Sequence, residues 1–385
     1  MGNFTDYRLP LEAFQSQRTP FYYYNLQLLH DTLEGINRLT TDVPYRVHYA
    51  LKANSNPHLL AIIAQAGLGA DLVSGGELKA ALAAGFAPER MAYAGVGKTD
   101  WEIRLALEHG VGCFNVESMP EMEVIGQLAQ EQGCTASIAI RVNPDIDAHT
   151  HRYITTGTAD NKFGIAIEQL PHVVERALTM PGVRLRGLHF HIGSQLTDMK
   201  PYVMLCDTVN RLQDYYEARG VRFELINVGG GLGVDYNEPD AHPIADFDSY
   251  FGVFKRHLRL RPGQELHFEL GRSVVAQCGS LITRVIYVKS GRNKRFAIVD
   301  AGMTDLLRPA LYEARHLVQN LSSTALACDT YDVVGPVCES SDVFAHDCTL
   351  PLTQRGDLIA LRSAGAYGES MASTYNLRSL PGTLF

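Results

Sequence analysis

The sequence predicts an α/β fold, a TIM-like (β/α)8 barrel followed by a C-terminal β-rich domain, and three observations support this. Between residues 45 and 270, short apolar or β-branched runs alternate with helical periods rich in Ala, Leu and Glu. No G-x-G-x-x-G follows an early run, which disfavours the competing doubly wound open sheet. After residue 270 long helical periods become scarce, and Gly, Pro, Ser and Asp separate short strand-like runs.

Eight of the runs have the length and composition of buried parallel strands. The predicted strands are Arg46–Lys52, Ala70–Ser74, Arg90–Gly95, Cys113–Glu117, Ser137–Val142, Leu185–His191, Leu225–Gly229 and Glu265–Leu270. Helical stretches such as Gly76–Gly85 and Thr99–Gly110 lie between them and end in glycine. Eight such units over roughly 220 residues fit a barrel, although about 250 is more typical.

Two domains are expected. Residues 26–270 form the barrel, and residues 271–385 form the β-rich domain together with residues 1–25. The predicted strands of this second domain are Leu281–Lys289, Lys294–Asp300 and, from the N-terminal segment, Phe21–Tyr24.

Composition narrows the functional class. The 385 residues, 46% hydrophobic and 20% charged, are those of an ordinary globular protein. A net charge of -8 argues against a general nucleic-acid binder, and neither a transmembrane run nor a signal peptide is evident. Seven scattered cysteines without a C-x-x-C pair suggest reduced thiols, no metal centre and a cytoplasmic location.

Lys52, in the run Tyr49-Ala50-Leu51-Lys52-Ala53-Asn54, ends the first predicted strand between apolar neighbours. A lysine buried there would have a lowered pKa and a reactive amine, as a Schiff-base lysine requires. Taken alone, a strand-end lysine more often reaches solvent. The polar residues at the other strand ends make a Schiff-base lysine the favoured interpretation.

The C-terminal ends of the strands, where the active site of such a barrel lies, carry the unusual polar residues of this chain. These are Lys52, Asp71 with Ser74-Gly75-Gly76-Glu77, Arg141-Val142-Asn143-Pro144, His189 to Ser194, Gly229 to Gly233, and Glu269-Leu270-Gly271-Arg272. One polar strand end is common in any barrel, but folding alone hardly explains so many on one rim.

The glycine run Gly229-Gly230-Gly231 follows the seventh predicted strand, where barrels usually bind phosphate. Its backbone N–H groups could approach an anion closely, and Ser194 could add a hydroxyl. Tight turns also use glycine, so the run is weak evidence by itself.

Glu269 ends the eighth strand, where it could pair with a pyridinium nitrogen or, more simply, form an ion pair with Arg272. His191 could stack on a planar ring or be a hydrogen-bonded core histidine. A lysine, a phosphate loop, an acid and a stacking residue together match one cofactor, pyridoxal 5'-phosphate.

Two motifs of the second domain are candidates for the same site. In Gly335-Pro336-Val337-Cys338-Glu339-Ser340-Ser341-Asp342 a thiol stands beside a carboxylate, and in Gly365-Ala366-Tyr367-Gly368 a tyrosine stands between small residues. Buried cysteines and tyrosines are often structural, so these motifs depend on the barrel motifs for their interpretation.

The chain resembles the fold-type III pyridoxal-phosphate decarboxylases, and within them the diaminopimelate decarboxylase family, with its alanine-racemase-like architecture. The matching motifs run in order along nearly the whole chain. They are Tyr49–Asn54, Ser74–Leu78, His191–Gln195, Gly229–Gly233, Asp300–Met303, Arg308–Tyr312, Cys338–Ser340 and Gly365–Gly368.

The resemblance implies roles in cofactor binding. Lys52 would form the internal aldimine, His191 would stack on the ring, and Glu269 would pair with the ring nitrogen. The phosphate would be held by Ser194, the glycine run and the backbone of Gly271 and Arg272. The full set of expected cofactor-binding residues is Lys52, Asp71, Arg141, His191, Ser194, Gly229, Gly230, Gly231, Glu269, Gly271, Arg272 and Tyr367.

The resemblance also implies roles toward an amino-acid substrate with two carboxylates. Arg272, Arg308 and Tyr312 would grip its distal carboxylate. Glu339 would take its distal ammonium, Tyr367 would lie near cofactor and substrate, and Cys338 would be the catalytic proton donor beside Lys52 and His191. In this family Cys338 and Glu339 would reach the partner's cofactor across a homodimer interface.

The implied activity is decarboxylation of meso-2,6-diaminopimelate to L-lysine and carbon dioxide, the last step of lysine biosynthesis. A sister decarboxylase of ornithine, lysine, arginine or carboxynorspermidine is the alternative, although single-carboxylate substrates would not need both Arg272 and Arg308. An alanine racemase is disfavoured, because it needs a tyrosine as its second base and this chain has the thiol of Cys338. A non-catalytic regulatory relative is also disfavoured, because it could lose Lys52 or Cys338 freely and this chain has both.

Two departures from the family pattern concern Leu270, where proline is usual, and the tail 375–381. Leucine restores a backbone N–H, so its effect should be structural. The altered tail leaves the C-terminal contacts open.

Overall fold

The strands of the protein, a computed structural model that describes residues 7–146 and 162–385, fall into two sheets. In chain order they are β1 (Phe21–Tyr24), β2 (Tyr45–Ala50), β3 (Gly69–Leu72), β4 (Met91–Tyr93), β5 (Cys113–Val116), β6 (Ala136–Asn143), β7 (Ile165–Ala166), β8 (Val183–His189), β9 (Leu225–Asn227), β10 (Glu265–Leu270), β11 (Gly279–Ser290), β12 (Arg295–Val299), β13 (Val318–Asn320), β14 (Cys328–Val334), β15 (Val343–Pro351), β16 (Leu358–Leu361) and β17 (Gly382–Leu384).

The α-helices alternate with the strands in the first two thirds of the chain. They are α1 (Leu11–Gln15), α2 (Leu26–Thr40), α3 (Pro57–Gln65), α4 (Gly75–Ala84), α5 (Asp100–Glu108), α6 (Met119–Glu131), α7 (Leu170–Thr179), α8 (Lys200–Glu217), α9 (Phe247–His257), α10 (Arg272–Val275) and α11 (Arg308–Tyr312). None of the helices in the described ranges combines the length and apolarity needed to cross a membrane.

Eight parallel strands close the predicted barrel. Their order is β5-β4-β3-β2-β10-β9-β8-β6, and pairing of β5 with β6 completes the ring, to which β7 adds a short edge. Every residue of β3, β4 and β5 is buried, as expected for parallel strands covered on both faces. The barrel prediction is confirmed, and β10 has the predicted bounds.

Local sequence signals set the helix ends. The Ser74 side chain accepts a hydrogen bond from the Glu77 N–H at 3.1 Å and begins α4, while Gly85 ends it at φ +89°. Thr99 and Glu102 form a capping box at the start of α5. The first cap lies two residues after the end of β3, and the second lies six residues after the end of β4.

The second sheet has the order β13-β16-β11-β12-β14-β15. The N-terminal strand β1 forms as predicted and pairs antiparallel with β11, with Phe21 opposite Ile282. On its other edge β1 pairs with β17. An N-terminal segment therefore belongs to the same sheet as the C-terminal strands.

The chain divides into two compact units. The barrel unit comprises Leu33–Gly233 and Asp246–Gly271, and the β-rich unit comprises Met1–Thr32, Val234–Ala245 and Arg272–Phe385. The domain boundaries at 25/26 and 270/271 stay a prediction.

Candidate active site

Lys52 is less buried than the sequence predicts. β2 ends at Ala50, and a single 3-10 turn, Leu51–Ala53, follows. Leu51 and Ala53 are buried, whereas the side chain of Lys52 between them is 42% exposed. The expectation of a buried lysine at the end of the strand was wrong. Its Nζ lies 3.5 Å from Oδ2 of Asp71, on the neighbouring strand.

Asp71 is a buried acid with an incomplete set of partners. Its Oδ1 has no hydrogen-bond partner in the described part of the chain. Burial, and then the charge of Glu269, raise the pKa of Asp71 to about 8, although Lys52 opposes the change. This carboxyl therefore needs a further donor at Oδ1 to be ionised at neutral pH.

Glu269 lies at the centre of a polar network inside the barrel. Its Oε1 accepts hydrogen bonds from Asn115 Nδ2 and Asn227 Nδ2 at 2.8 Å each, and its Oε2 accepts one from His189 Nε2 at 3.0 Å. Burial would raise the pKa of Glu269, but the charge and hydrogen bond of His189, and then the charges of Lys52 and His191, outweigh it and hold the pKa below the usual range. A carboxylate has about four acceptor positions, so Oε2 retains one.

His191 lies two residues beyond the end of β8 and is partly buried. Its Nδ1 accepts a hydrogen bond from the Gly230 N–H at 3.2 Å. Burial, and then the charges of Arg141 and Lys52, lower the pKa of His191 well below its usual value. The imidazole of His191 is therefore neutral, and the backbone N–H of Gly230 in the glycine run holds its Nδ1.

The glycine run after β9 could not be built from other residues. Gly229 and Gly231 have φ of +69° and +106°, and a Cβ added to Gly230 would overlap the carbonyl oxygen of Glu269.

Ser194, another expected phosphate ligand, lies in the loop after β8. A Cβ on Gly271, after β10, would lie 2.9 Å from the Ala53 Cβ, which brings this backbone against the turn of Lys52.

Arg141, an expected cofactor ligand, has a protein partner that the sequence did not reveal. Its Nη1 donates to Glu117 Oε1 at 2.6 Å, and both side chains are buried. The guanidinium also lies 4.6 Å from the Phe163 ring. Arg141 stays a predicted cofactor ligand, and Glu117 fixes its orientation.

In the β-rich unit, two buried arginines meet around one tyrosine. Arg272 Nη1 donates to the Tyr236 hydroxyl at 2.7 Å, and the Arg308 guanidinium lies 4.5 Å from the Tyr236 ring. Arg272 also lies 4.8 Å from the ring of Tyr367. The three expected residues Arg272, Arg308 and Tyr367 are thus brought together, and Tyr236 was missed.

No carboxylate of the described ranges forms an ion pair with Arg308, whose Nε is buried without a hydrogen-bond partner. Burial lowers the pKa of Arg308, and the neighbouring charge of Arg272 adds to the effect against the opposing Tyr236. A buried guanidinium without an acid is costly unless an anionic ligand compensates it. This part of the protein is therefore suited to bind a carboxylate.

Tyr312 ends α11, one helical turn after Arg308. Tyr367 has a φ of +56°, a left-handed conformation that is strained for an aromatic residue. Such strain persists where the surrounding structure enforces it and is concentrated at functional sites.

Cys338 and Glu339 are exposed on the turn between β14 and β15. Asp342 shapes this turn, because its carbonyl accepts the Gly335 N–H at 3.0 Å and its Oδ2 accepts the Val337 N–H at 2.7 Å. All seven cysteines of the chain are free, as expected.

The divergent tail holds the same turn from the other side. The Cys338 N–H donates to Asn376 Oδ1 at 3.1 Å, and the Tyr375 hydroxyl donates to Glu339 Oε1 at 2.7 Å. These contacts account for the part of the tail that the sequence left open. They connect the tail to the turn that carries the exposed Cys338 and Glu339.

Comparison with known proteins identifies the family. Residues 30–276 match the family model described as pyridoxal-dependent decarboxylase, pyridoxal binding domain. The chain is 57% identical to the diaminopimelate decarboxylase of Bacteroides thetaiotaomicron over 97% of this chain and 96% of the relative, and 43% identical to that of Vibrio cholerae over 96% and 88%. The crystal structure of the Helicobacter pylori diaminopimelate decarboxylase complexed with L-lysine matches with a TM-score of 0.90 at 42% identity, covering 96% of this chain and 92% of that one.

The chain belongs to the diaminopimelate decarboxylase family. It is therefore a pyridoxal-phosphate-dependent enzyme, as the sequence predicts. The roles of individual residues in this decarboxylase stay predictions.

The barrel unit of the decarboxylase fits the cofactor. Lys52 supplies an amine at the strand ends, and the glycine run offers backbone where any Cβ would intrude. Asp71 Oδ1 lacks a partner among the described residues, and Glu269 Oε2 retains an acceptor position for a ring N–H. The amine of Lys52 and the open acceptor positions of Asp71 and Glu269 fit a phosphorylated pyridinium aldehyde.

Several polar residues of the site were missed from the sequence. Asn115 and Asn227 lie within strands whose other residues are apolar, and such polar interruptions were the available signal. Glu117 follows β5 directly. Tyr236 gave no signal, because its position depends on a segment, 234–245, that leaves the barrel unit.

Proposed function

We propose that this decarboxylase converts meso-2,6-diaminopimelate to L-lysine and carbon dioxide, as the last step of lysine biosynthesis. The observation that carries the proposal is the buried pair Arg272 and Arg308, since Arg308 has no carboxylate partner in the part of the chain described. A substrate with a second carboxylate satisfies this charge, whereas ornithine or arginine does not. L-Lysine, which is bound in the Helicobacter pylori relative, retains that carboxylate. A cytoplasmic location stays a prediction.

The barrel unit would hold the cofactor. When bound, pyridoxal phosphate accepts the electron pair that remains after the carbon–carboxyl bond breaks. Lys52 Nζ would be the amine that tethers the cofactor. Glu269, kept ionised chiefly by His189, would compensate a positive charge on the ring nitrogen, and the neutral imidazole of His191 would stack on the ring.

The remaining cofactor contacts are to the phosphate. The glycine run, Ser194 and the Gly271-Arg272 backbone offer N–H and hydroxyl donors to its oxygens. Contacts to both the phosphate and the aldehyde would orient the cofactor relative to the substrate.

The β-rich unit would orient the substrate. Arg308, Arg272 and Tyr312 bind the distal carboxylate, and Glu339 binds the distal ammonium. Cys338 donates the proton to the carbon that has lost its carboxylate. Tyr367 lies near the cofactor and the substrate. Two charged contacts at the distal end recognise an amino-acid group there and leave the other end to react.

We propose further that the protein is a homodimer in which Cys338 and Glu339 serve the partner's cofactor. Both side chains are exposed in the single chain, although the turn that carries them is tightly held. A two-fold dimer would then contain two composite sites.

Arg308→Met should raise KM for meso-diaminopimelate far more than it lowers kcat, because the distal carboxylate loses a buried charged donor. Loss of such a partner costs about 2–5 kcal/mol, or roughly 30- to 4,000-fold in kcat/KM. Steady-state carbon dioxide release measures both constants.

The matched control is Arg355→Met, which removes an exposed arginine that also lies over a tyrosine ring, that of Tyr287. It should leave both constants unchanged. An Arg308→Met enzyme with the wild-type KM would contradict recognition of a distal carboxylate by this residue.

Lys52→Ala and Cys338→Ala proteins should each be nearly inactive, yet regain activity when mixed and reassembled. Half of randomly exchanged dimers are hybrids, and each hybrid has one intact site, so about a quarter of wild-type activity should return. A tag on one variant measures hybrid formation. If hybrids form and activity stays at the parental level, the sites are not shared in this way.

A further inference from the structure

His316 is a buried histidine that contacts a predicted substrate-binding arginine. It lies between α11 and β13 and is 6% exposed. Its Nε2 is 2.8 Å from Arg308 Nη1, and its Nδ1 is 2.8 Å from the carbonyl oxygen of Arg362. No sequence motif pointed to it.

The two partners fix the state of the imidazole. A guanidinium can only donate and a carbonyl can only accept, so Nε2 accepts from Arg308 and Nδ1–H donates to Arg362. Burial, and then the charge of Arg308, lower the pKa of His316 to about 3. The ring is therefore a neutral acceptor directed at Arg308 across the pH range of ordinary assays.

Arg362, whose carbonyl oxygen accepts from His316, is itself held by hydrogen bonds. Arg362 Nη2 donates to Asp240 Oδ1 at 2.7 Å, and its Nη1 donates to Gln319 Oε1 at 2.9 Å. The Arg362 N–H also donates to the Leu317 carbonyl at 2.9 Å. The carbonyl that accepts from His316 thus belongs to a residue that directly follows β16 and is held by an ion pair.

Tyr236 restrains the same arginine on a second side. The Arg308 guanidinium lies 4.5 Å from the centre of its ring, and the His316 ring meets that ring edge-on at 5.1 Å and 79°. One N–H of Arg308 is therefore bound by His316 and one face by Tyr236. The remaining N–H groups are left for a ligand.

We infer that His316 is a positioning residue that sets the orientation of Arg308 toward the distal carboxylate of the substrate. This inference rests on the proposed function, because it assumes that Arg308 binds a carboxylate. Bidentate recognition of a carboxylate depends on the plane of the guanidinium, and a hydrogen bond at Nη1 together with a ring on one face fixes that plane. His316 would thus contribute to selecting substrates with a second carboxylate, without touching them.

Two substitutions of His316 test the roles of its two ring nitrogens separately. In His316→Gln the longer amide reaches the place of Nε2, so an acceptor for Arg308 is kept. In His316→Asn the shorter amide reaches only the place of Nδ1, so the contact to Arg362 is kept and the one to Arg308 is lost. Calorimetric affinity for L-lysine, affinity for pyridoxal phosphate and the melting temperature are measured for both cofactor-loaded variants and the wild type.

We expect His316→Asn to weaken L-lysine binding about tenfold or more, as loss of a hydrogen bond to a charged group implies. His316→Gln should stay within about threefold of the wild type, since it keeps the acceptor. Affinity for pyridoxal phosphate should be the same in all three proteins. With meso-diaminopimelate as substrate, His316→Asn should raise KM and leave kcat nearly unchanged.

Equal L-lysine affinity in both variants, or parallel losses of L-lysine and cofactor affinity, would show that His316 acts only in folding. If Arg308→Met itself binds L-lysine as tightly as the wild type, the proposed function of Arg308 fails instead. The two failures are therefore distinguishable.

Discussion

Lys52→Ala is expected to remove essentially all decarboxylation, by about a thousandfold or more, since the tethering amine is lost. The wild-type protein should be yellow, and borohydride should bleach its band by reducing the link to Lys52. The variant should lose this reducible link, although the glycine run should still retain some cofactor through its phosphate. Absorption spectra before and after borohydride, with carbon dioxide release, measure both effects.

The matched control is Lys79→Ala. Lys79 is an exposed lysine of α4, with its Nζ 5.4 Å from the Trp101 ring centre. Its removal should leave the reducible band and activity intact. An active Lys52→Ala protein that borohydride still bleaches would show that another amine holds the cofactor.

Glu269→Gln should lower kcat on the order of 100- to 1,000-fold with little change in KM, because a preorganised charge is lost at the reacting centre. The neutral amide cannot compensate a positive ring nitrogen. The opposite pattern, weaker substrate binding at normal turnover, would make Glu269 a structural residue.

The surrounding network should accommodate the glutamine. Asn115 and Asn227 can still donate to its carbonyl oxygen, and His189 can change tautomer to accept from its amide, since His189 Nδ1 has no hydrogen-bond partner within the described ranges. The variant should therefore keep a melting temperature close to that of the wild type, which separates loss of charge from loss of fold.

The barrel was predictable because its signals are local. Strands buried on both faces require apolar runs, and residues such as Ser74 and Gly85 mark helix ends by their own chemistry. For Gly230 the sequence predicted a phosphate contact, which stays a prediction, and the structure adds that only glycine allows backbone to pass the carbonyl of Glu269 so closely.

What the sequence missed depends on register and on distant segments. The burial of Lys52 was misjudged because the strand ends two residues earlier than expected, so that a 3-10 turn carries the lysine. His316 meets Arg308 only because a tight turn follows α11, with Glu313 in a left-handed conformation. No pattern of hydrophobicity encodes that contact.

The most direct test of the central claim is carbon dioxide release by the wild-type enzyme with meso-diaminopimelate, its LL isomer, L-lysine, L-ornithine and L-arginine, each at several concentrations. A preference for substrates with a second carboxylate follows from the buried Arg308, which has no acid partner among the described residues. We predict that kcat/KM for meso-diaminopimelate exceeds that for each single-carboxylate amino acid by about a hundredfold or more, in line with the cost of leaving a buried charge unpaired. Turnover of L-lysine or L-ornithine at a rate equal to that of the meso compound would contradict the account.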